Sequence, residues 1–177
     1  YYGDAAGDYA DNAWRFGLFC RAALEACRRD GGVDVLHLHD WHSAPATLLR
    51  EGPYRGDRRL GPAATLLTIH NLAYRGWVPA DRLWQLGLDR GPLDADSGGW
   101  PPGIHGGDGV DLLRAGIERA DLVNTVSPTF AREAVRLETG MGLDEVLRGR
   151  GDRFFGILNG IDTDVWNPAS DPETAAA

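Results

Sequence analysis

Short aliphatic runs, each bounded by polar residues or glycine, predict four β-strands along the chain. The four predicted strands are Val33–His39, Ala63–Ile69, Asp121–Val126 and Phe154–Leu158. Their length and their content of aliphatic and aromatic residues are typical of buried strands in a parallel sheet.

Between these strands, apolar residues recur every three or four positions, which is the period of an amphipathic helix. The pattern predicts one long helix, Asn12–Arg29, followed by Gly31 and Gly32. It also predicts the shorter helices Ser43–Arg50, Val110–Arg119, Pro128–Val135 and Leu143–Arg148, with Ser127 as the N-cap of the third of them. Alternating strands and helices predict an α/β fold with a doubly wound parallel sheet.

One segment shows neither an aliphatic run nor the helical period. Leu88–Gly109 contains seven glycines and three prolines, and we therefore expect a long surface loop there. Loops of that length are usually either functional or disordered.

Polar residues follow each predicted strand. His39-Asp40-Trp41-His42 ends the first strand, His70-Asn71 the second, Ser127 the third and Asn159-Gly160-Ile161-Asp162 the fourth. In open α/β sheets the ligand binds in the crevice outside the carboxyl ends of the strands. The four segments together therefore predict a binding or catalytic crevice at one edge of the sheet.

Aromatic residues accompany these strand ends and favour a carbohydrate ligand. Trp41, Tyr74, Trp77 and Trp166 lie within a few residues of them. Aromatic faces suit the C–H groups of a sugar ring, while carboxylates and amides bind its hydroxyl groups. The pattern indicates sugar binding, with Trp41 and Tyr74 as candidate contact residues.

A metal site is an alternative use of the first strand end. His37, His39, Asp40 and His42 are all possible ligands, and they would suit a metal-dependent hydrolase. Their order differs by one position from the His-x-His-x-Asp-His clusters of zinc hydrolases. Since His37 lies in mid-strand, we expect it to be a core histidine bonded to the backbone, and we assign no metal ligands.

Composition excludes several classes of protein. The 177 residues carry a formal net charge of −8, and the isoelectric point near 5.0 argues against nucleic acid as the main partner. No apolar run is long enough for a membrane helix. All 18 basic residues are arginine, so a phosphate loop that needs lysine is absent. Met141 is the single methionine, and we therefore expect the sequence to be a piece of a larger protein.

Several longer motifs carry a family resemblance. They are Val33–His42, Thr68–Gly76, Ala120–Pro128 and Gly156–Asp162, together with Tyr9-Ala10-Asp11-Asn12 and Gly140-Met141-Gly142-Leu143. In order and spacing these motifs resemble the bacterial glycogen synthases and plant starch synthases across nearly the whole chain.

The resemblance implies a GT-B glycosyltransferase, in which two Rossmann-like domains face a deep cleft. Residues 1–165 would then be part of the N-terminal domain and 166–177 the start of the interdomain linker, with the nucleotide-binding C-terminal domain absent. The implied reaction moves glucose from ADP-glucose, or UDP-glucose, to the non-reducing end of an α-1,4-glucan with retention of configuration. A glucan-binding domain without catalytic activity is the alternative. No cofactor is expected, and no oligomeric state is indicated.

The resemblance also implies roles for single residues. His70 would line the transferred glucose, and its backbone carbonyl and ring would help to stabilise the positive charge that develops at the anomeric carbon. Asp40 would bind sugar hydroxyls or aid the transition state. Asn71 and Tyr2 would contact the substrates. A cytoplasmic bacterial enzyme is implied, and these residues alone are expected to be inactive because the diphosphate-binding residues of the family lie outside them.

Overall fold

The structure is a computed structural model that describes residues 2–5, 7–88 and 109–171. In chain order its elements are β1 (Gly3–Asp4), β2 (Gly7–Asp8), α1 (Asn12–Arg29), β3 (Val35–His39), α2 (Asp40–Ser43), α3 (Pro45–Glu51), β4 (Ala64–Ile69), β5 (Trp77–Pro79), a 3₁₀ helix (Ala80–Leu86), β6 (Gly109–Asp111), α4 (Leu112–Arg119), β7 (Leu122–Thr125), α5 (Pro128–Ala134), α6 (Asp144–Gly149), a second 3₁₀ helix (Gly151–Arg153) and β8 (Phe154–Gly156).

The four predicted strands form one parallel sheet in the order β3-β4-β7-β8. His39 at the end of β3 pairs with Thr68 near the end of β4, and Ile69 pairs with Thr125 at the end of β7. The carboxyl ends of the strands are therefore level with one another. This confirms the predicted α/β fold and places the polar strand ends along one edge.

One side of this sheet is covered and is called the closed face here. Its members are Leu36, Leu38, Thr65, Leu67, Ile69, Val123 and Thr125, all of them buried. Leu67 contacts Gly116 of α4, where an added Cβ would collide with Ala44 and press on Leu67. The same hydrophobic core includes Leu24 of α1 and Leu49 of α3. Helices α1, α3 and α4 therefore share one core with this face.

The opposite side is largely open and is called the open face here. Its members are Val35, His37, His39, Ala64, Leu66, Thr68, Leu122 and Asn124, of which Thr68 and Asn124 are buried. Val35 is 56% exposed and Leu122 is 42% exposed. The expectation that His37 is a core histidine bonded to the backbone is wrong. It lies on a part of this face that is exposed, and its Nε2 bonds the Thr68 hydroxyl at 2.7 Å.

The helix predictions hold with two changes. Helix α1 has the predicted bounds, and Ser127 caps α5 by accepting hydrogen bonds from the backbone N–H groups of Thr129 and Phe130 at 3.2 Å. The helix predicted to begin at Ser43 is preceded by the one-turn helix α2. The helix predicted to begin at Val110 begins at Leu112, because residues 109–111 form strand β6 against β5.

The predicted loop Leu88–Gly109 falls mostly outside the described residues, which omit 89–108. Its two ends are described. Leu88 is buried, and Gly109 begins β6. Among the described helices, not one combines the length and the apolar character that crossing a membrane requires.

Candidate functional site

The site begins at the junction between β3 and α2. Asp40 is the first residue of α2 and has a φ of 54°, in the left-handed region. A residue with a Cβ adopts this conformation at a cost of about 1–3 kcal/mol, and such residues cluster at functional sites. The chain turns sharply here, so that the Asp40 carboxylate, which is half-buried, lies beside the end of β4.

Asp40 and His70 are joined directly. The backbone N–H of His70 donates to Oδ1 of Asp40 at 2.7 Å. This bond links the ends of two neighbouring strands and uses one carboxylate oxygen. The remaining lone pairs of the carboxylate can accept hydrogen bonds from a ligand hydroxyl.

The ring of His70 has a partner of its own. Nε2 of His70 lies 3.1 Å from Nδ1 of His39, and the two ring centroids are 5.4 Å apart. Both side chains are exposed at the edge of the sheet. Burial, followed by the charges of His37 and His70, lowers the pKa of His39.

Asn71 follows His70 and is also exposed. Its Oδ1 accepts a hydrogen bond from the backbone N–H of Ala73 at 2.8 Å, which closes a turn after β4. The amide nitrogen retains its donor capacity for a ligand. Asp40, His70 and Asn71 therefore lie side by side, as the strand ends predicted.

An aromatic cluster adjoins these polar residues. Tyr2 contacts Tyr74, Trp41 and His42, with ring centroids 5.2, 5.8 and 4.9 Å away. The ring of Phe16 packs against Trp41 from α1, at 4.9 Å. Partial burial, then a hydrogen bond with Tyr74 and the charges of Asp40 and Asp8, raise the pKa of Tyr2.

The members of this cluster differ in exposure. Tyr74 is 47% exposed and Tyr2 is half-buried, whereas Trp41 is only 3% exposed. Gly76 has a φ of 64° and lies against the Trp41 ring, where a Cβ would collide with it. Trp41 is therefore the buried member of the cluster, against which Tyr2 packs, and the rings of Tyr2 and Tyr74 reach the surface.

The other two strand ends make local turns. Ser127 is occupied as the cap of α5. Asp162 accepts hydrogen bonds from the backbone N–H groups of Asp164 and Val165 at 3.0 and 3.1 Å, so it shapes the turn that follows Asn159. Neither residue joins the group around Asp40.

The possible metal ligands of the first strand end do not converge on one point, although the rings of His37 and His39 are neighbours. Within the described residues, no group of three or more histidine, cysteine, aspartate or glutamate side chains is arranged to hold a metal ion. His42 turns into the aromatic cluster, where its ring stacks on Trp41 at 4.2 Å. The metal-hydrolase alternative therefore has no geometric support in this part of the chain.

Sequence reasoning did not anticipate the ion pair that braces the site. The guanidinium of Arg75 pairs with Asp111 and also donates to the carbonyl oxygen of Met141 at 2.7 Å. Asp111 is buried and caps α4 through the backbone N–H of Arg114 at 2.9 Å. The contact joins segments 36 positions apart, and no short-range pattern reports such a pair.

Comparison with known proteins identifies the class of protein to which this fold belongs. Residues 1–149 match the family described as the starch synthase catalytic domain. The chain belongs to this family.

Individual relatives agree. The glycogen synthase of Rhodopseudomonas palustris is 46% identical over 176 residues, and that of Thermodesulfovibrio yellowstonii is 41% identical over 172. Each alignment covers 97% of this chain but only 34% and 33%, respectively, of the relative. The chain thus spans about a third of the length of these curated relatives.

A solved structure shares the fold. It is the catalytic domain of starch synthase IV from Arabidopsis thaliana, bound to ADP and acarbose. It matches with a TM-score of 0.77 and 38% identity, over 93% of this chain and 33% of the other. The family assignment therefore rests on sequence and on fold alike.

Proposed function

We propose that this chain forms one wall of the active site of a retaining glycosyltransferase, which moves glucose from ADP-glucose to the non-reducing end of an α-1,4-glucan. The observation that carries the proposal is the junction of Asp40, His70 and Asn71 on one sheet edge, beside the rings of Tyr2 and Tyr74. The acarbose and ADP bound to the starch synthase IV structure support a glucan and a nucleotide sugar as ligands.

Asp40 and His70 are the proposed catalytic pair. Cleavage of the bond between glucose and diphosphate leaves positive charge on the anomeric carbon, and fixed negative groups and carbonyl dipoles stabilise it. The Asp40 carboxylate would supply the negative group, and the backbone carbonyl and the neutral ring of His70 would supply the dipoles. The bond from the His70 N–H to Asp40 keeps both in place before the substrate arrives.

The aromatic cluster is proposed to receive the sugar rings. Tyr2 and Tyr74 present aromatic surface and hydroxyl groups beside Asp40. Asn71 supplies an amide for hydroxyl or phosphate groups. We assign Trp41 to this substrate-binding set as the support beneath Tyr2, because its own ring is almost completely buried.

The negatively charged diphosphate needs basic partners from elsewhere. The chain has no lysine, and Arg75, the arginine next to Tyr74, is engaged by Asp111 and Met141. We therefore propose that residues 1–165 form part of an N-terminal domain and that 166–177 begin a linker to a nucleotide-binding domain. The 177 residues alone are expected to be inactive, and the complete enzyme is expected in the cytoplasm.

The test compares the chain with the polypeptide encoded by the whole gene that contains it. Transfer of labelled glucose from ADP-glucose and from UDP-glucose to glycogen is measured for both. We expect transfer only by the longer polypeptide, and loss of about 100-fold or more in kcat for Asp40→Asn and His70→Ala, the size seen when one charge-stabilising group is removed. Asp152→Asn, an exposed carboxylate on the second 3₁₀ helix, is the matched control and should retain full activity.

Two results would contradict the proposal. Transfer by the 177 residues alone would show that no second domain is needed. Binding of maltooligosaccharides by the longer polypeptide without any transfer would instead support the glucan-binding alternative.

A further inference from the structure

His39 and His70 share a single hydrogen bond between ring nitrogens, Nδ1 of His39 and Nε2 of His70, at 3.1 Å. Only one proton fits between them, so one nitrogen donates and the other accepts. We propose that His39 is a positioning residue that holds the ring of His70 in one orientation and one tautomer. This inference rests on the proposed function, in which His70 lines the transferred glucose.

The backbone of His39 is fixed on both sides. Its N–H donates to Oγ of Ser43 at 2.5 Å, and the Ser43 hydroxyl donates to the His39 carbonyl oxygen at 2.8 Å. Both bonds connect the last residue of β3 to the end of α2. These bonds fix the backbone position from which the His39 ring extends towards His70.

A chain of side chains fixes the other side of the His39 ring. His37 lies against it, with ring centroids 4.2 Å apart. The hydroxyl of Thr68 donates to Oδ1 of Asn124 at 2.7 Å, so its oxygen accepts a proton from Nε2 of His37, also at 2.7 Å. Thr68 and Asn124 are each 5% exposed. His39 thus rests on a support anchored in β4 and β7.

His70 is consequently held at two points. Its backbone N–H is bound by Asp40, and its ring is bound by His39. Without the second bond, an exposed imidazole would rotate about its side-chain torsions and exchange between two neutral tautomers. A ring next to a developing positive charge must also stay uncharged, since an imidazolium there would oppose the reaction.

The electrostatics around His39 favour its neutral state near pH 7. Three titratable groups face His39: His37 on its own strand, His70 after β4, and Asp40 at the start of α2. Burial and the two histidines lower the pKa of His39, and Asp40 opposes them. A bond between two ring nitrogens also excludes protonation of both facing atoms while it is intact.

Nuclear magnetic resonance of the full chain tests the bond without any need for activity. The ¹⁵N shifts of ring nitrogens report which nitrogen carries the proton. At pH 7.5 we expect one tautomer for His70 in the wild type and a mixture of both in His39→Ala. His39→Asn places an amide where Nδ1 stood, and should restore the single tautomer.

Kinetics of the longer polypeptide test the positioning role. A misplaced group of this kind costs about 10- to 100-fold in kcat, and KM should change little because His39 itself touches no substrate. His39→Asn should recover most of the loss and should keep the wild-type pH profile. Val35→Thr, on the same strand and face but without a bond to His70, is the control and should match the wild type in both experiments.

The same mixture of His70 tautomers in the wild type and in His39→Ala would overturn the proposal. If His39→Ala does not fold, the wild-type shifts decide, because an unbonded pair would give mixed tautomers there. Failure of the proposed function is a separate result: the wild-type longer polypeptide would transfer no glucose, whereas the tautomer of His70 would still depend on His39.

Discussion

The two faces of the central sheet are built from the same strands but have different surroundings. On the closed face, Leu67 and Ile69 are fully buried beneath the helices. On the open face, Val35 and Leu122 are apolar and yet about half exposed. The histidines that reach the candidate site, His37 and His39, belong to the open face. Stability therefore resides on one face and the candidate chemistry on the edge of the other.

Neighbouring residues of β4 offer the sharpest test of this difference. Leu67 is fully buried on the closed face, whereas Leu66 is half-buried on the open face. Truncating a buried leucine costs about 2–5 kcal/mol because it removes contacts and leaves a cavity. We expect Leu67→Ala to lower the free energy of unfolding by that amount, measured by urea denaturation. Leu66→Ala, the matched control, should cost clearly less; equal losses would mean that both faces are buried in solution.

The ion pair between Arg75 and Asp111 connects the segment next to Tyr74 with helix α4, which packs on the closed face. Asp111 caps α4, which covers that face, and its carboxylate is buried. Arg75→Met leaves this carboxylate without its ionic partner, and we expect a loss of about 1–3 kcal/mol in unfolding free energy. Arg28→Met removes an arginine that pairs with Glu25 on the surface of α1, where the two side chains are 39% and 33% exposed, and surface pairs contribute only about 0–1 kcal/mol. If Arg75→Met lowers the unfolding free energy no more than the control variant does, the ion pair between Arg75 and Asp111 does not stabilise the fold.

How far the sequence predicted this arrangement depends on the range of the interaction. The parallel strands and α1 were predictable because an aliphatic run or a helical period is visible within a few neighbouring residues, and the level carboxyl ends follow from parallel pairing. Strand β5 ends in Pro79 and strand β6 begins with Gly109, so neither forms an aliphatic run, and the two pair across a separation of 30 to 34 residues.

The site was predictable only in part for the same reason. Asp40, His70 and Asn71 follow strands that neighbour each other, and the family motifs mark them. The left-handed backbone at Asp40 and the bond from the His70 N–H have no sequence signal, because an aspartate is common in many other conformations. His37 was misassigned because a buried strand was expected to be covered on both sides.

The open face should make the isolated chain prone to self-association. Contiguous exposed apolar residues beside an edge strand favour pairing with another chain. We expect the double variant Val35→Thr, Leu122→Thr to reduce association, measured by light scattering and by binding of a hydrophobic dye. Unfolding free energy should change by less than about 1 kcal/mol, since both residues are largely exposed. If association is unchanged, a different surface mediates it, for example the exposed side chains of Trp14 and Phe19 on α1.

The smallest expected effect is the pH dependence of stability, which distinguishes His39 from His42, the histidines on either side of Asp40 and Trp41. Burial lowers the pKa of His42 within the aromatic cluster, and burial with the charges of His37 and His70 lowers that of His39. An unfolded histidine has a pKa of about 6.5, and a histidine whose pKa is lower in the folded state binds fewer protons there than in the unfolded state. Acid therefore favours the unfolded state, and the free energy of unfolding falls as the pH drops below about 7. Urea denaturation at pH 7.5 and 5.5 should show this loss.

The change of unfolding free energy with pH should depend mainly on His42, because it is less exposed than His39. Its ring packs between Tyr2, Phe16 and Trp41. We expect His42→Gln to flatten the dependence more than His39→Gln does, because water screens the charge of His39 at the open edge. Lower stability of both variants at every pH, with the wild-type slope retained, would assign the acid sensitivity to other groups. A larger change for His39→Gln would mean that the open face is less accessible to solvent than its apolar residues indicate.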